Sequence, residues 1–276
     1  MSLTGYKTMN FDNEGLSVFY LDPSFACSKL EENEYLGVCD ESGSIVDKYR
    51  KVNGKLTPIK YHKIENQFSG IVRPRNLEQE FAFDLMQDRH TTVKLLTGRW
   101  GTGKTMILAI HAIEALLRGE FQKIVYVRNN IEVKDTTPLG ALPGDAFQKT
   151  LWTAGPLIDH VGGEDGLMNF VNAGQIEIAH LGYLRGRDIR NSLIMVSEAE
   201  NLTKEHLQLL LGRVGEGSNL WLDADVRQRD KIAFEKSRGI ETLIERLYGN
   251  ELFGYVHLVK GERSKTAELA NLLDGE

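Results

Sequence analysis

The residues most able to do chemistry are concentrated in Thr97-Gly98-Arg99-Trp100-Gly101-Thr102-Gly103-Lys104-Thr105, where a glycine is followed after four residues by Gly-Lys-Thr. Glycines let the backbone turn so that successive N–H groups face phosphate oxygens. A helix starting at the end of the turn adds the positive end of its dipole. At this spacing the stretch from Gly98 to Thr105 cradles the phosphates of a nucleoside triphosphate. Lys104 would pair with the β- and γ-phosphates, and the Thr105 hydroxyl would bind Mg²⁺.

A second constellation follows the apolar run Ser192-Leu193-Ile194-Met195-Val196, which ends in Ser197-Glu198-Ala199-Glu200-Asn201. Enzymes that hydrolyse a triphosphate on such a loop place an apolar strand ending in acids beside it. One carboxylate supports the Mg²⁺ hydration shell, and the next orients or deprotonates the attacking water. Glu198 suits the water role, with contact to Mg²⁺ partly through water, whereas Ser197 stands where an Asp is usual. Asp225 and Gln228 are candidates to sense the γ-phosphate, or else belong to a charged surface loop with Arg227, Arg229 and Lys231, which would suit nucleic-acid phosphates. Arg185, Arg187 and Arg213 are either solvated or able to reach a neighbouring subunit's γ-phosphate, where a guanidinium stabilises developing charge. Asn76 and Gln79 carry amides of the kind that pair with the N6/N7 edge of adenine.

These residues need elements to hold them. Thr92–Leu96 reads as the strand before the loop, and Met106, Ile110, Ile113 and Leu117 recur at helical spacing after it, up to Gly119. Asn76 to Gln87 carries Leu77, Phe81 and Leu85 on one helical face. Beyond the loop, strands at Lys123–Val127, Gln175–Ala179, Ser192–Val196, Asn219–Leu222 and Tyr255–Val259 alternate with helices such as Thr203–Val214 and Ile240–Leu247. That alternation predicts an α/β domain, a mostly parallel sheet with helices on both faces and its site at the C-terminal strand ends. The punctuated segment from Asn129 to Gly174 reads as loops around one or two helices. Residues 1–70 read instead as a small β-rich module, with strand-like runs at Leu16–Leu21, Glu34–Cys39 and Ser44–Tyr49 and a hairpin turn at Asn53-Gly54. Pro74 and the polar residues before it form the joint to a second domain, residues 71–276.

Composition is that of a globular chain, with 41% hydrophobic and 26% charged residues. No apolar run approaches the roughly 20 residues of a membrane span, and no signal-peptide pattern opens the chain. Cys27 and Cys39 suit reduced cytosolic thiols, so a cytoplasmic location is expected, and the seven scattered histidines argue against a structural metal site. A net charge of −6 does not favour a nucleic-acid coat protein, though it allows a local basic groove.

In order along the chain, Ile71-Val72-Arg73-Pro74-Arg75-Asn76-Leu77-Glu78-Gln79, the phosphate loop, Leu142-Pro143-Gly144-Asp145, Tyr183-Leu184-Arg185-Gly186-Arg187, Glu198-Ala199 with Asn201, Asp225 with Gln228 and Asp230, and Arg263-Ser264 resemble the PhoH family of ATPases. The resemblance covers about residues 30 to 270, and the chain looks like members without a leading PIN nuclease domain. It implies a RecA-like P-loop NTPase related to superfamily 1 helicases, binding ATP and Mg²⁺ and assembling into homo-oligomeric rings such as hexamers. It also implies helicase-like remodelling of RNA or single-stranded nucleic acid, with no membrane partner. Carried over by position, Gln79 reads adenine, Lys104 and Thr105 hold phosphates and Mg²⁺, and Glu198 serves hydrolysis. Asp225 and Gln228 sense the γ-phosphate, while Arg263, Arg213, Arg185 and Arg187 reach nucleotide across a subunit boundary.

The chain departs from the family pattern at Ser197 and Glu200 (usually Asp and Gln), at Ala224 (usually Gly) and at Asn129 (usually Pro). Ser197 supplies no anion. An ionised Glu200 facing phosphate would cost about 4 kcal/mol at about 4 Å and intermediate dielectric, a penalty removed by protonation or by pointing elsewhere. An ATP-gated assembly module with little turnover is therefore the alternative to a full ATPase. A small-molecule kinase built on the same loop is a third, weaker reading.

Overall fold

A computed structural model describes residues 3–128, 154–227 and 238–262. Gln228 and Arg263, together with the Leu142–Asp145 motif and Arg229 to Lys231, lie outside the described residues.

The first part of the chain builds β1 (Tyr6–Asn10), α1 (Asn13–Leu21), α2 (Ser24–Ser28), β2 (Tyr35–Cys39), β3 (Ile45–Val52) and β4 (Lys55–Pro58). The four strands form one sheet in the order β1-β2-β3-β4, with β1 parallel to β2 and the other pairs antiparallel. Asn53 and Gly54 both sit at positive φ (52° and 73°), as a two-residue hairpin turn whose twist matches its strands requires. Leu16–Leu21, expected as a strand, is helical. Its aromatic and β-branched content suits a strand, but the Asp12 carboxylate accepts the Gly15 N–H (2.7 Å) and so caps a helix that buries Phe19 against Tyr49. A short hairpin, β5 (Ile64–Asn66) and β6 (Gly70–Val72), leads into α3 (Leu77–Gln87).

The main sheet contains β7 (Val93–Gly98), β8 (Lys123–Arg128), β9 (Ile176–Ala179), β10 (Ser192–Ser197), β11 (Asn219–Ala224) and β12 (Phe253–Leu258). All pairs are parallel, in the order β12-β7-β11-β10-β8-β9. The strands are buried on both faces, which is why they read as apolar runs without alternation. Successive side chains nonetheless feed two separate cores. Leu96, Tyr126, Met195 and Trp221 pack under α3, α4 (Lys104–Leu117), α5 (Gly155–Ile158) and α6 (Gly163–Asn172). Leu95, Val127, Val196 and Leu222 pack under α7 (Lys204–Leu211) and α8 (Gly239–Leu247). The expected α/β architecture is present: a six-stranded parallel sheet flanked by helices, preceded by a smaller sheet.

The strand carrying Glu198 does not adjoin the loop strand, because β11 lies between β10 and β7. Asp223 and Ala224 of β11 are the residues in register with Leu96 and Thr97, one step before the loop begins.

No helix among the described residues is long and apolar enough to cross a membrane, and Cys27 and Cys39 are free thiols.

Candidate functional site

The loop leaves β7 at Gly98, whose φ of +156° and closeness to the Leu258 carbonyl exclude a side chain: a Cβ would lie 2.4 Å from that oxygen. It closes at Gly103 (φ +88°), the residue from which α4 departs with Lys104. Three loop carbonyls have partners. Arg99 O accepts from the Thr102 hydroxyl (2.8 Å) and from Lys104 Nζ (3.4 Å), Gly101 O from the Glu262 amide (3.0 Å), and Thr102 O from the Gln79 side chain (3.0 Å).

Asn76 and Gln79 hold the loop from the side. Asn76 caps α3 by accepting the Gln79 N–H (2.9 Å) and donates to the Glu262 carboxylate (2.8 Å). Gln79, 3% exposed, accepts the Arg75 N–H (2.9 Å) while donating to Thr102 O. Both amides are thus engaged as struts between the start of α3, the loop and the chain after β12. Gln79 also lines the cleft beside the loop.

The acids converge from two strands. Asp223 on β11, 1% exposed, accepts a hydrogen bond from the Thr105 hydroxyl. Burial pushes its carboxyl up to about 6, opposed by the Thr105 hydroxyl and the Lys104 charge. Glu198 follows β10 in the left-handed region (φ 55°), a strained conformation for a residue with a side chain and one that recurs at functional sites. Its carboxylate forms a forked pair with Arg128, whose Nε lies 3.0 Å from Oε2. Ser197, by contrast, is tied to the Tyr126 hydroxyl (2.5 Å), two neutral groups where an anion is usual.

Glu200 is 6% exposed and accepts the Asp225 N–H (2.9 Å). Burial, reinforced by the charges of Asp223 and Glu198, pushes its carboxyl up to about 8, so it is mostly neutral at pH 7. The repulsion expected of an ionised Glu200 is relieved by protonation. Asp225 is buried, accepts the Arg227 N–H (3.1 Å), and has its carboxyl raised by burial against the opposing Lys104 charge.

A cleft of about 1040 Å³ runs between these groups and the β5–β6 hairpin. Trp100, Lys104, Thr105, Glu198 and Asp223 line one side, and Ile71, Arg73 and Arg75 line the other. Arg73, Arg75, Arg128 and Asp223 escaped the sequence reading as site residues. The polar stretch before Pro74 signalled only a joint, and Asp223 is set apart from other charged residues only by the strand order. Arg187 pairs with Glu177 (Nη2–Oε2 3.0 Å), Arg213 donates to the Arg187 carbonyl (3.0 Å), and Arg185 is exposed; none of the three lines the cleft.

Mg²⁺ fits the donor set around Thr105. Among the described residues no group of three or more His, Cys, Asp or Glu side chains could hold a metal alone, so the cation would share its oxygens with bound phosphates. Asp223 Oδ1 is buried without a hydrogen bond of ordinary distance and angle, although the Glu198 amide acts on the same carboxylate. A buried carboxylate oxygen left in that way is suited to a coordinated water.

The PhoH-like protein family matches residues 71–270 of the chain. Protein PhoH2 of Bacillus subtilis is 30% identical over 282 residues, covering 97% of this chain and 63% of its own length. A PhoH-like protein of Synechocystis is 34% identical over 170 residues, covering 60% and 51% respectively. Among solved structures, Pif1 helicase from Candida albicans aligns with 17% identity and a TM-score of 0.36 over 74% of this chain and 44% of that one, too slight a likeness to build on. The chain spans about half to just under two thirds of the length of the PhoH2 relatives it matches. With a matching loop, a parallel sheet around it and a family match over most of its length, the chain belongs to the PhoH-like family.

Proposed function

We propose that the chain is a Mg²⁺-dependent ATPase whose turnover is coupled to remodelling of RNA or single-stranded nucleic acid. The observation that carries this reading is the cleft in which Lys104, Thr105, Asp223 and Glu198 face one another beside the glycine loop. The loop and the α4 N-terminus bind the phosphates, and Lys104 neutralises charge on the β- and γ-oxygens. Thr105 would hold Mg²⁺ together with the nucleotide, and the ion would supply further positive charge at the phosphate oxygens. Glu198 orients the attacking water and accepts its proton; Arg128 fixes the carboxylate for this role by a two-point contact. The hairpin wall of the cleft carries the exposed Arg73 and Arg75, which can meet phosphates or a nucleic-acid strand.

Equilibrium ATP binding and ATP turnover, each measured with and without single-stranded RNA at low and high salt, test the reading. Lys104→Ala is expected to abolish binding. Glu198→Gln is expected to keep binding and lose turnover by about 100-fold or more, the range of a removed general base. RNA stimulation should fade as salt rises, because phosphate contacts are lost by counterion competition. Absence of turnover in the wild-type chain under saturating Mg²⁺, with RNA or without, rejects the hydrolytic part.

A second reading is favoured by Ser197, which leaves no anion at the end of β10: ATP binding that gates assembly into a ring with little turnover. Light scattering separates the two. An assembly module changes mass on ATP binding in Glu198→Gln as in wild type, and does so without hydrolysis. Arg185, Arg187 and Arg213 are the residues proposed to meet the neighbouring subunit in either case.

A further inference from the structure

We propose that in this chain the carboxylate supporting the metal at Thr105 has moved one strand over, from the end of β10 to Asp223 on β11. The inference deepens the proposed function and rests on nucleotide binding at the loop.

The two strand ends differ in what they offer. At the end of β10, Ser197 has only a hydroxyl, held by Tyr126 at 2.5 Å from the neighbouring strand. At the end of β11, Asp223 reaches the Thr105 hydroxyl directly, because β11 lies beside the loop strand and Asp223 is in register with Leu96, two residues before Gly98. A buried carboxylate is costly unless its oxygens are satisfied. One oxygen of Asp223 takes the Thr105 hydrogen bond, while Oδ1 is buried with no hydrogen bond of ordinary geometry. Lys104 and the Glu198 amide both act on the carboxylate, while the Oδ1 flank keeps no hydrogen bond of ordinary geometry. A hydrated divalent cation shared with the nucleotide phosphates completes that flank: its bound waters donate to carboxylate oxygens, and its charge offsets the burial. The presence of an anion on one strand and its absence on the next thus describe one device displaced by a strand.

A structural role is the competing explanation, since a carboxylate near a helix start also steadies the first turn. Asp223→Asn separates the two. It keeps the volume and an oxygen to accept from Thr105, and it loses only the charge. The measurement is equilibrium binding of a non-hydrolysable ATP analogue, titrated with Mg²⁺ and repeated in EDTA, using the full chain. The Mg²⁺ concentration for half-maximal enhancement of binding is expected to rise about 10–100-fold in Asp223→Asn, the usual effect of removing a supporting group behind a metal ligand. Binding in EDTA is expected to be undiminished. Asp223→Ser, a smaller neutral replacement, should show the same metal-specific loss and serves if the Asn variant does not fold. An unchanged Mg²⁺ requirement in the folded variants, with a wild type that does require Mg²⁺, overturns the assignment alone. A wild type that binds no nucleotide, with metal or without, overturns it together with the proposed function.

Discussion

Lys94 shows how far a single charge can be pressed by its surroundings. It sits in the strand leading to the loop, 1% exposed, with its ammonium 4.8 Å from the Trp221 ring centre and donating to the Met86 carbonyl (2.9 Å) and to that of Asp88 at the end of α3. Burial pulls its pKa from 10.5 down to about 7, against the pull of Asp88 in the other direction. Below pH 7 the folded protein bears the full cost of the buried ammonium. Between about 7 and 10.5 the unfolded chain binds more protons than the folded one, so this group makes stability rise with pH. Urea unfolding at pH 7 and pH 9.5 should show a rise of a few kcal/mol in wild type that is largely missing in Lys94→Met. Equal slopes for the two proteins would mean that the helix-end carbonyls compensate the charge completely. Glu200 has the opposite sense: a carboxyl made neutral by burial does at pH 7 what an amide would do, accepting the Asp225 N–H.

At the scale of elements, the start of α3 couples the loop to the chain beyond β12. Asn76 stops the helix at its N-terminus and, through its other amide atom, holds Glu262, whose own amide caps the Gly101 carbonyl. Asn76→Ala is expected to cost about 1 kcal/mol in urea unfolding, the value of an N-cap. It should also weaken nucleotide binding, which an isolated capping defect remote from the loop would leave alone. A stability loss with unchanged affinity would confine Asn76 to capping. The parallel strand order acts at the same scale: it sets two acids from different strands, Glu198 and Asp223, at one cleft and leaves Ser197 facing Tyr126.

For the molecule as a whole, the N-terminal sheet is fastened to the main domain by polar contacts buried between them. Asn33, 5% exposed, donates to the carbonyls of Asn250 (3.1 Å), Glu251 (2.9 Å) and Phe253 (3.1 Å), while accepting from Arg50 (2.7 Å). Arg50 in turn reaches Asp88 (3.2 Å) at the C-terminal end of α3, and Tyr35 stacks on Phe81 at 4.8 Å. Replacing Asn33 by Ala strands these carbonyls and puts a Cβ-only residue at φ 65°, so a loss of about 1–3 kcal/mol is expected. Calorimetry should still give a single transition, with residues 1–70 melting together with the rest. Two separated transitions would show the joint at Pro74 to be a true domain boundary.

Local sequence was sufficient wherever one stretch carries its own instructions. Gly98, Gly101 and Gly103 dictate the turn, Asn53-Gly54 its hairpin, and the apolar runs their buried parallel strands. The same local logic failed at Leu16–Leu21, where a capping side chain outside the run outweighed residue preference. Tertiary structure alone decided what depends on which strand lies beside which. Pairing in a sheet joins residues far apart in sequence, and nothing within Asp223-Ala224-Asp225 says that β11 will insert between β7 and β10. That insertion brings Asp223 to Thr105 across 118 positions of sequence and Asp225 to Glu200, buried deeply enough to keep its proton, while the pairing of β10 with β8 sets Arg128 beside Glu198.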